Sequence, residues 1–249
     1  MPTDAASFAL VTAHTVRGVA VVTLRNPKRR NALSGGVIDG LMAALREVER
    51  DSSIGCLLLC AEGPAFCSGA DLSLLHDAGN DPTSEQWYTT MGRIYQLFAT
   101  LGSAPVPTIA AVGGAIVGAG VNLASACDLR IVADDLRLVG FGPAKVHPGG
   151  GHLRLLDIAA SPSTTAAVAL FHEELDADAA LRSGFAWRSV PRSALDEAAM
   201  EIACRPAADP ALTRELTATL RAHRRARSEA EAAILLERAP QLWSLRRRP

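Results

Sequence analysis

Two glycine-rich segments, about fifty residues apart and each directly downstream of an apolar run, constrain this chain more than any other feature. The first reads Ala65-Phe66-Cys67-Ser68-Gly69-Ala70-Asp71-Leu72, the second Ala115-Ile116-Val117-Gly118-Ala119-Gly120-Val121-Asn122-Leu123. The runs that precede them, residues 54–60 and 108–112, are apolar with no polar alternation, the pattern of a strand covered on both faces. The second glycine segment also leads into a helical pattern. Small residues let a backbone approach a ligand closely and leave N–H groups uncovered. Two such N–H groups converging on one point can stabilise an oxygen as it gains negative charge.

The rest of the chain punctuates in the same alternating way. Val19-Ala20-Val21-Val22-Thr23-Leu24 is β-rich and stops at the turn signal Asn26-Pro27. Ser34 is placed to cap a helix whose buried face carries Ile38, Leu41, Leu45 and Val48. Residues 76–86, with Gly79-Asn80-Asp81-Pro82 and little periodicity, read as a loop. Trp87, Met91, Ile94, Phe98 and Leu101 return to helical spacing and read as a core stripe, and short strands are expected over residues 129–133 and 136–141. Strands alternating with helices give an α/β fold. Beyond about residue 190 alanine and arginine dominate; Leu212, Leu216 and Leu220 recur every four residues, and residues 230–237 are a further helix candidate. A helical stripe with no sheet beneath it needs a partner surface.

Composition removes several function classes. The chain has 249 residues, 49% of them apolar, enough for one large domain or a domain with an appendage. Its 25 basic and 26 acidic residues leave a formal charge of −1, so no polyanion-binding surface and no nucleic-acid partner are expected. Lys28-Arg29-Arg30 is a local basic cluster, and Arg224-Arg225 reads as a solvated face. Five irregularly spaced cysteines do not read as a disulfide framework. Cys56 and Cys60 read as small buried hydrophobes, and Cys67 has no partner base that would make it a nucleophile. Clustered metal ligands and a Gly-X-Gly-X-X-Gly after the first strand are absent from the sequence, so neither a metal nor NAD is expected. A basic segment followed by an apolar stretch is missing at the start, and no apolar run reaches about 18 residues; a cytoplasmic protein with no membrane partner is expected.

In order, Leu24-Arg25-Asn26-Pro27-Lys28-Arg29-Arg30-Asn31-Ala32-Leu33, the Ser68-Gly69-Ala70-Asp71 segment, Pro107-Thr108-Ile109-Ala110-Ala111-Val112-Gly113-Gly114, the Gly118 turn, Ala126-Cys127-Asp128-Leu129-Arg130-Ile131 and the Pro148-Gly149-Gly150-Gly151 run resemble the motifs of the crotonase, or enoyl-CoA hydratase/isomerase, superfamily. The resemblance spans roughly residues 15 to 190. It implies a spiral of ββα units forming an acyl-CoA-binding core over residues 1–190, with residues 191–249 a helical region that assembles trimers or dimers of trimers. It implies an enzyme, a lyase or isomerase, that polarises an acyl-CoA thioester between the N–H groups of Ala70 and Ala119 and stabilises its enolate. No cofactor is implied, coenzyme A arriving as part of the substrate. Gly69 and Gly118 would shape the two loops. Lys28, Arg30 and Ala32 match the basic segment beside the coenzyme A phosphates; Ser68, Asp71, Leu72 and Ser73 match the segment along pantetheine and adenine. Asp71 more often anchors the local turn in this family than moves protons, and Asp128 reads as structural. Part of the Trp87–Leu101 stripe would line the acyl pocket.

The chain departs from the family's hydratases at the two positions that carry their glutamates. One is Asn122 here; no register places a carboxylate between Leu136 and Gly151 for the other. A carboxamide hydrogen-bonds water but does not accept its proton near neutral pH. Each general acid–base group is worth roughly 10² to 10⁴ in rate, so ordinary hydration should be crippled. His147 is the candidate replacement base, with His152 on the other flank of the Pro148 turn; Lys145 and the more distant His76 and Asp77 are further titratable candidates. A non-catalytic acyl-CoA-binding protein, and a crotonase-fold isomerase, decarboxylase or thioesterase with a non-standard base, stay open.

Overall fold

The computed structural model describes residues 6–8, 10–71, 80–81 and 83–225. Leu72, Ser73, His76, Asp77, part of the loop expected over residues 76–86 and the helix candidate at residues 230–237 lie outside them.

In chain order the elements begin with strands β1 (Ala6–Phe8), β2 (Val11–Val16) and β3 (Val19–Leu24), then a 3-10 turn at Pro27–Arg29 and helix α1 (Gly35–Arg50). There follow β4 (Cys56–Ala61), β5 (Ala65–Cys67), α2 (Glu85–Gly102), β6 (Thr108–Val112), β7 (Ala115–Val117) and α3 (Ala119–Ser125). Next come β8 (Leu129–Ala133), β9 (Arg137–Val139), a 3-10 turn at Gly142–Ala144, α4 (His152–Ala159), α5 (Pro162–Leu170) and α6 (Ala177–Arg182). Strand β10 (Arg188–Val190), a 3-10 turn at Arg192–Ala194, α7 (Leu195–Ala207) and α8 (Pro210–Arg225) complete the described chain.

A seven-stranded sheet has the order β1-β2-β3-β4-β6-β8-β10, and a second sheet the order β5-β7-β9. The large sheet is antiparallel up to β3 and parallel from β3 onward; the small one is wholly parallel. Each of the pairs β4-β5, β6-β7 and β8-β9 therefore gives one strand to each sheet before a helix follows. These are three turns of the ββα spiral that the resemblance implies.

Side-chain alternation explains why residues 19–22 and 56–59 are apolar on both faces. Val22, Leu24, Leu57, Leu59, Ala110 and Val132 face a core shared with α1, α2 and α3. The intervening Val19, Val21, Cys56, Leu58, Ile109 and Ile131 face the opposite way, into a second core closed by Leu195, Ala199, Ile202, Ala203 and Ala207 of α7. Successive strand residues point to opposite faces, so a sheet buried on both sides loses its polar alternation. Packing thus runs across the boundary expected near residue 190, since α7 has a sheet beneath it.

Helix α8 is fastened by charge. Asp128 receives Nη2 of Arg221 at 2.9 Å, Nη1 of Arg224 at 2.9 Å and the backbone N–H of Thr108 at 3.0 Å. Asp128 is therefore structural, and Arg224, on the exposed face expected of it, is ion-paired to Asp128. Leu212, Leu216 and Leu220 stand 56%, 61% and 44% exposed on the same helix, the one long apolar stripe that the described chain leaves uncovered there.

Leu58→Ala opens a hole between the sheet and α7 and is expected to cost about 2–5 kcal/mol of unfolding free energy. Because α7 shares that core, urea unfolding followed by circular dichroism and by tryptophan fluorescence should give one coincident transition, shifted as a whole in the variant. Two separated transitions would show that α7 is not part of the same cooperative unit.

Candidate active site

Strands β5, β7 and β9 run parallel, so the loops at their C-terminal ends emerge on one edge. In an open parallel arrangement that edge is where ligands are received. The β5 loop is Ser68-Gly69-Ala70-Asp71, and the β7 loop is Gly118 followed by α3. Their approach is close enough to exclude a side chain. A Cβ on Gly69, whose φ is +96°, would stand 2.8 Å from the Val117 carbonyl oxygen and 3.4 Å from the Ala119 nitrogen. Glycine is the residue that meets both demands.

The β5 loop is held from behind by the segment after β3. Leu33 N–H donates to the Gly69 carbonyl at 2.8 Å, and Ser68 N–H to the Arg30 carbonyl at 2.9 Å. In a parallel bridge of this kind the flanking residues of Ala70 face Leu33, so the N–H of Ala70 itself points away from it. The N–H of Ala119, at the first position of α3, has no acceptor within its own helix.

Two polar devices set this scaffold. Asn31, fully buried in the left-handed region at φ +54°, donates through Nδ2 to the carbonyls of Glu62 and Ala65, both at 2.9 Å, and accepts from Asn26 N–H at 2.8 Å. Asp71 is buried and accepts a two-pronged contact from Arg29, with Nη2–Oδ1 and Nη1–Oδ2 both 3.1 Å. It anchors the turn. Lys28 and Arg30 stay exposed on the same edge, and Ala32 is buried beneath them. Cys67 is fully buried at the end of β5, and burial pushes its thiol up to about 12, so it is no nucleophile at neutral pH.

Asn122 sits three residues after Ala119, on the same face of α3. It is 1% exposed. Its Nδ2 donates to the Gly149 carbonyl at 2.8 Å, and its Oδ1 stands 2.7 Å from Nδ1 of His152, the first residue of α4. A peptide carbonyl only accepts, which fixes Nδ2 on that side; Oδ1 also only accepts, so the imidazole carries its proton on Nδ1. Phe141, from the β9 loop, packs edge-on to the His152 ring with centroids 4.9 Å apart, and its ring lies 3.6 Å from where a Cβ on Gly118 would stand. Burial alone pushes His152 down from its ordinary 6.5 to about 4, leaving a neutral imidazole.

A profile described as enoyl-CoA hydratase/isomerase matches residues 14–239. The chain belongs to that family. "Probable enoyl-CoA hydratase EchA14" of Mycobacterium tuberculosis H37Rv is 38% identical over 193 residues, covering 76% of this chain and 72% of that protein. The "1,2-epoxyphenylacetyl-CoA isomerase" of Escherichia coli K12 is 33% identical over 197 residues, with 78% and 74% covered. The crystal structure of an enoyl-CoA hydratase/isomerase from Xanthobacter autotrophicus Py2 superposes with a TM-score of 0.83 at 28% identity, covering 94% of this chain and 88% of that one.

Of the residues singled out in the sequence, Lys28, Arg30, Ala32, Ser68, Gly69, Ala70, Asp71, Gly118, Ala119 and Asn122 gather at this edge of the enoyl-CoA hydratase/isomerase fold. His147 is half-buried, its Nδ1 donating to the Pro148 carbonyl at 2.8 Å. It is His152, not His147, that the fold joins to Asn122. The pairing had one trace in the sequence, a histidine directly after three glycines. Lys145 is exposed on the turn between them.

The buried neutral imidazole makes a measurable demand on stability. The unfolded chain takes up a proton on His152 as pH falls below 6.5, and the folded chain resists until about pH 4. Stability from this group is intact above 6.5 and declines through that window, by up to about 3 kcal/mol. His152→Asn should therefore show a shallower fall of unfolding free energy between pH 6.5 and 4 than the wild type, read by urea titration at stepped pH. Equal slopes would contradict a buried, neutral histidine.

Proposed function

We propose that this chain is an acyl-CoA enzyme of the enoyl-CoA hydratase/isomerase type, gripping a thioester carbonyl oxygen between the backbone N–H groups of Ala70 and Ala119 and stabilising the enolate. The observation that carries this reading is the approach of the two loops beside Gly69, which sets the Ala119 nitrogen 3.4 Å from that residue's Cβ position. Donors fixed by strands rather than by mobile side chains need no reorganisation as charge develops, and each is worth on the order of 3 kcal/mol in the transition state. Family membership and a relative named for an epoxyacyl-CoA isomerase support a thioester of coenzyme A as the ligand. Lys28 and Arg30 then serve the coenzyme A phosphates, Arg29 being committed to Asp71. Gly118, Ser68 and Ala32 shape the walls; Leu72 and Ser73, which the resemblance assigns to the same ligand, lie outside the described residues. Coenzyme A comes with the substrate, and no other cofactor has a role. The exposed Leu212, Leu216 and Leu220 stripe is the face through which copies would assemble as a trimer or dimer of trimers.

Acyl-CoA binding without turnover is the second reading, favoured by one observation: residue 122 is a carboxamide held at both ends, with no carboxylate in residues 136–151 to replace the second glutamate. Water addition needs a proton taken and a proton given, and neither Asn122 nor a peptide group supplies that at neutral pH. An isomerase, decarboxylase or thioesterase with fewer proton transfers fits the same hole.

Crotonyl-CoA tests both. It should bind with a dissociation constant in the micromolar range, while its hydration, followed as loss of enoyl absorbance, should run at least about a thousandfold below that of a two-glutamate hydratase. Hydration within tenfold of such an enzyme would refute the assignment of Asn122, and absence of binding would refute the acyl-CoA reading. Ala119→Pro deletes one donor at the helix position that best accepts proline. It should cut any thioester turnover by about 10² to 10³, or weaken crotonyl-CoA binding against coenzyme A alone if the protein only binds.

A further inference from the structure

We propose that His152 is a positioning residue for this site: its Nδ1–H locks the Asn122 carboxamide so that residue 122 offers a neutral hydrogen-bonding group to the acyl end of the ligand. The ligand half of this statement rests on the acyl-CoA reading; the coupling of the two side chains does not.

The hydrogen-bond directions leave a single arrangement. Gly149 O accepts from Nδ2, and Oδ1 accepts from Nδ1 of His152. A flipped amide would face Gly149 O with a second acceptor and His152 Nδ1–H with a second donor, losing both bonds between buried side chains. Each buried group left unsatisfied costs about 1–3 kcal/mol. The surroundings hold the same order. Gly150, at φ +71°, brings its backbone so close that a Cβ would sit 2.9 Å from the Phe98 ring, 3.0 Å from the Tyr95 ring and 3.1 Å from Asn122 Nδ2. Tyr95, Phe98, Asn122 and His152 are all buried, and Phe141 closes the imidazole from the Gly118 side.

The locked amide keeps one further N–H and one further carbonyl lone pair. Residue 122 lies one helical turn after Ala119, so these belong to the same face as the proposed thioester grip. A group that both donates and accepts, and carries no charge, suits a hydroxyl, a water or a carbonyl oxygen on the acyl chain. Neither side chain carries charge when the imidazole is neutral, and among the described residues no charged group contributes to the lowering of His152, which burial alone produces. The pair is thus chemically unlike the carboxylate it replaces: it orients and does not titrate over the neutral range.

Selective ¹⁵N-histidine NMR tests the pairing directly, with the His152 signals assigned by their loss in His152→Gln. One imidazole should remain neutral and protonated on Nδ1 from pH 8 to pH 5. In Asn122→Asp the same ring should become protonated across that range, because the new carboxylate sits against Nδ1. A His152 ring that titrates near its ordinary value in the wild type, or does not respond to Asn122→Asp, overturns the proposal. The ligand half is read by calorimetry with crotonyl-CoA and with coenzyme A. His152→Ala should weaken crotonyl-CoA about tenfold, leave coenzyme A unchanged, and be partly rescued by His152→Gln, whose amide N–H can reach Oδ1. Equal losses for both ligands, or none for crotonyl-CoA, overturn it. If the wild type binds neither ligand, the acyl-CoA reading falls together with the ligand half, and the pairing still stands or falls on the NMR.

Discussion

The contact on which this site depends is the passage of one backbone against another at Gly69. Neighbouring parallel strands lie about 4.8 Å apart, and their loops usually splay once pairing ends. Here they do not, because the Gly69 carbonyl is held by Leu33 N–H on one side while its α-carbon rests against the Val117 carbonyl on the other. A Cβ at that position would stand 2.8 Å from the Val117 oxygen, closer than real contacts allow, so the β5 and β7 loops would have to move apart. In the proposed function, that separation would take the N–H groups of Ala70 and Ala119 off a shared thioester oxygen.

What keeps the loop in place is polar, with the accepting carboxylate of Asp71 and the Asn31 amide both buried. Asn31 ties the segment after β3 to Glu62 and Ala65, so the strand that leads to Gly69 is fixed before the loop begins. Arg29 and Asp71 tie its far end. The first of these uses unusual backbone: Asn31 is in the left-handed region at φ +54°, and Arg30 beside it at +50°. Asparagine tolerates this better than most residues, and the three hydrogen bonds of its side chain offset the remaining strain. The basic cluster at residues 28–30 thus divides its labour. Its middle arginine is structural, and the flanking Lys28 and Arg30 are exposed, the two cations that the proposed function assigns to the coenzyme A phosphates.

Much of the fold could be read from the chain because its strands are covered on both faces. Val19–Leu24, Thr108–Val112 and Leu129–Ala133 are the strands expected from apolar runs, and the α1 face from Ile38 to Val48 follows the helical period. Strand β9 lies inside the run expected over residues 136–141, whereas β5 and β7, three residues each, are too short for any period to show, and only the glycine segments after them mark them. Helix α7 lies in the helical region expected beyond residue 190, but its bounds and its packing on the sheet were not marked, for a different reason. Its buried face is mostly alanine, which periodicity cannot separate from the alanine-rich background beyond residue 190, yet that smallness is what lets a helix lie against a Val-, Ile- and Leu-covered sheet. At the site, Gly69, Ala70, Ala119 and Asn122 were legible as small or polar residues at motif positions. The role of His152 was not, because thirty residues separate it from Asn122 and only the fold of the Pro148–Gly151 turn closes the gap.

That gap also explains why residue 122 is an amide rather than an acid. A carboxylate there would face the Gly149 carbonyl oxygen, acceptor against acceptor, with little water to screen the repulsion. On the other side it would draw a proton onto His152 and create a buried ion pair, whose desolvation cost is several kcal/mol per ion before any attraction is counted. The amide meets the carbonyl with a donor and the imidazole with an acceptor, and neither partner needs to be charged. A glutamate placed at 122 alone would therefore inherit surroundings built for its neutral counterpart. Three features are mutually consistent and would have to change together: the carboxamide, the histidine that reads its oxygen, and the glycine turn that reads its nitrogen.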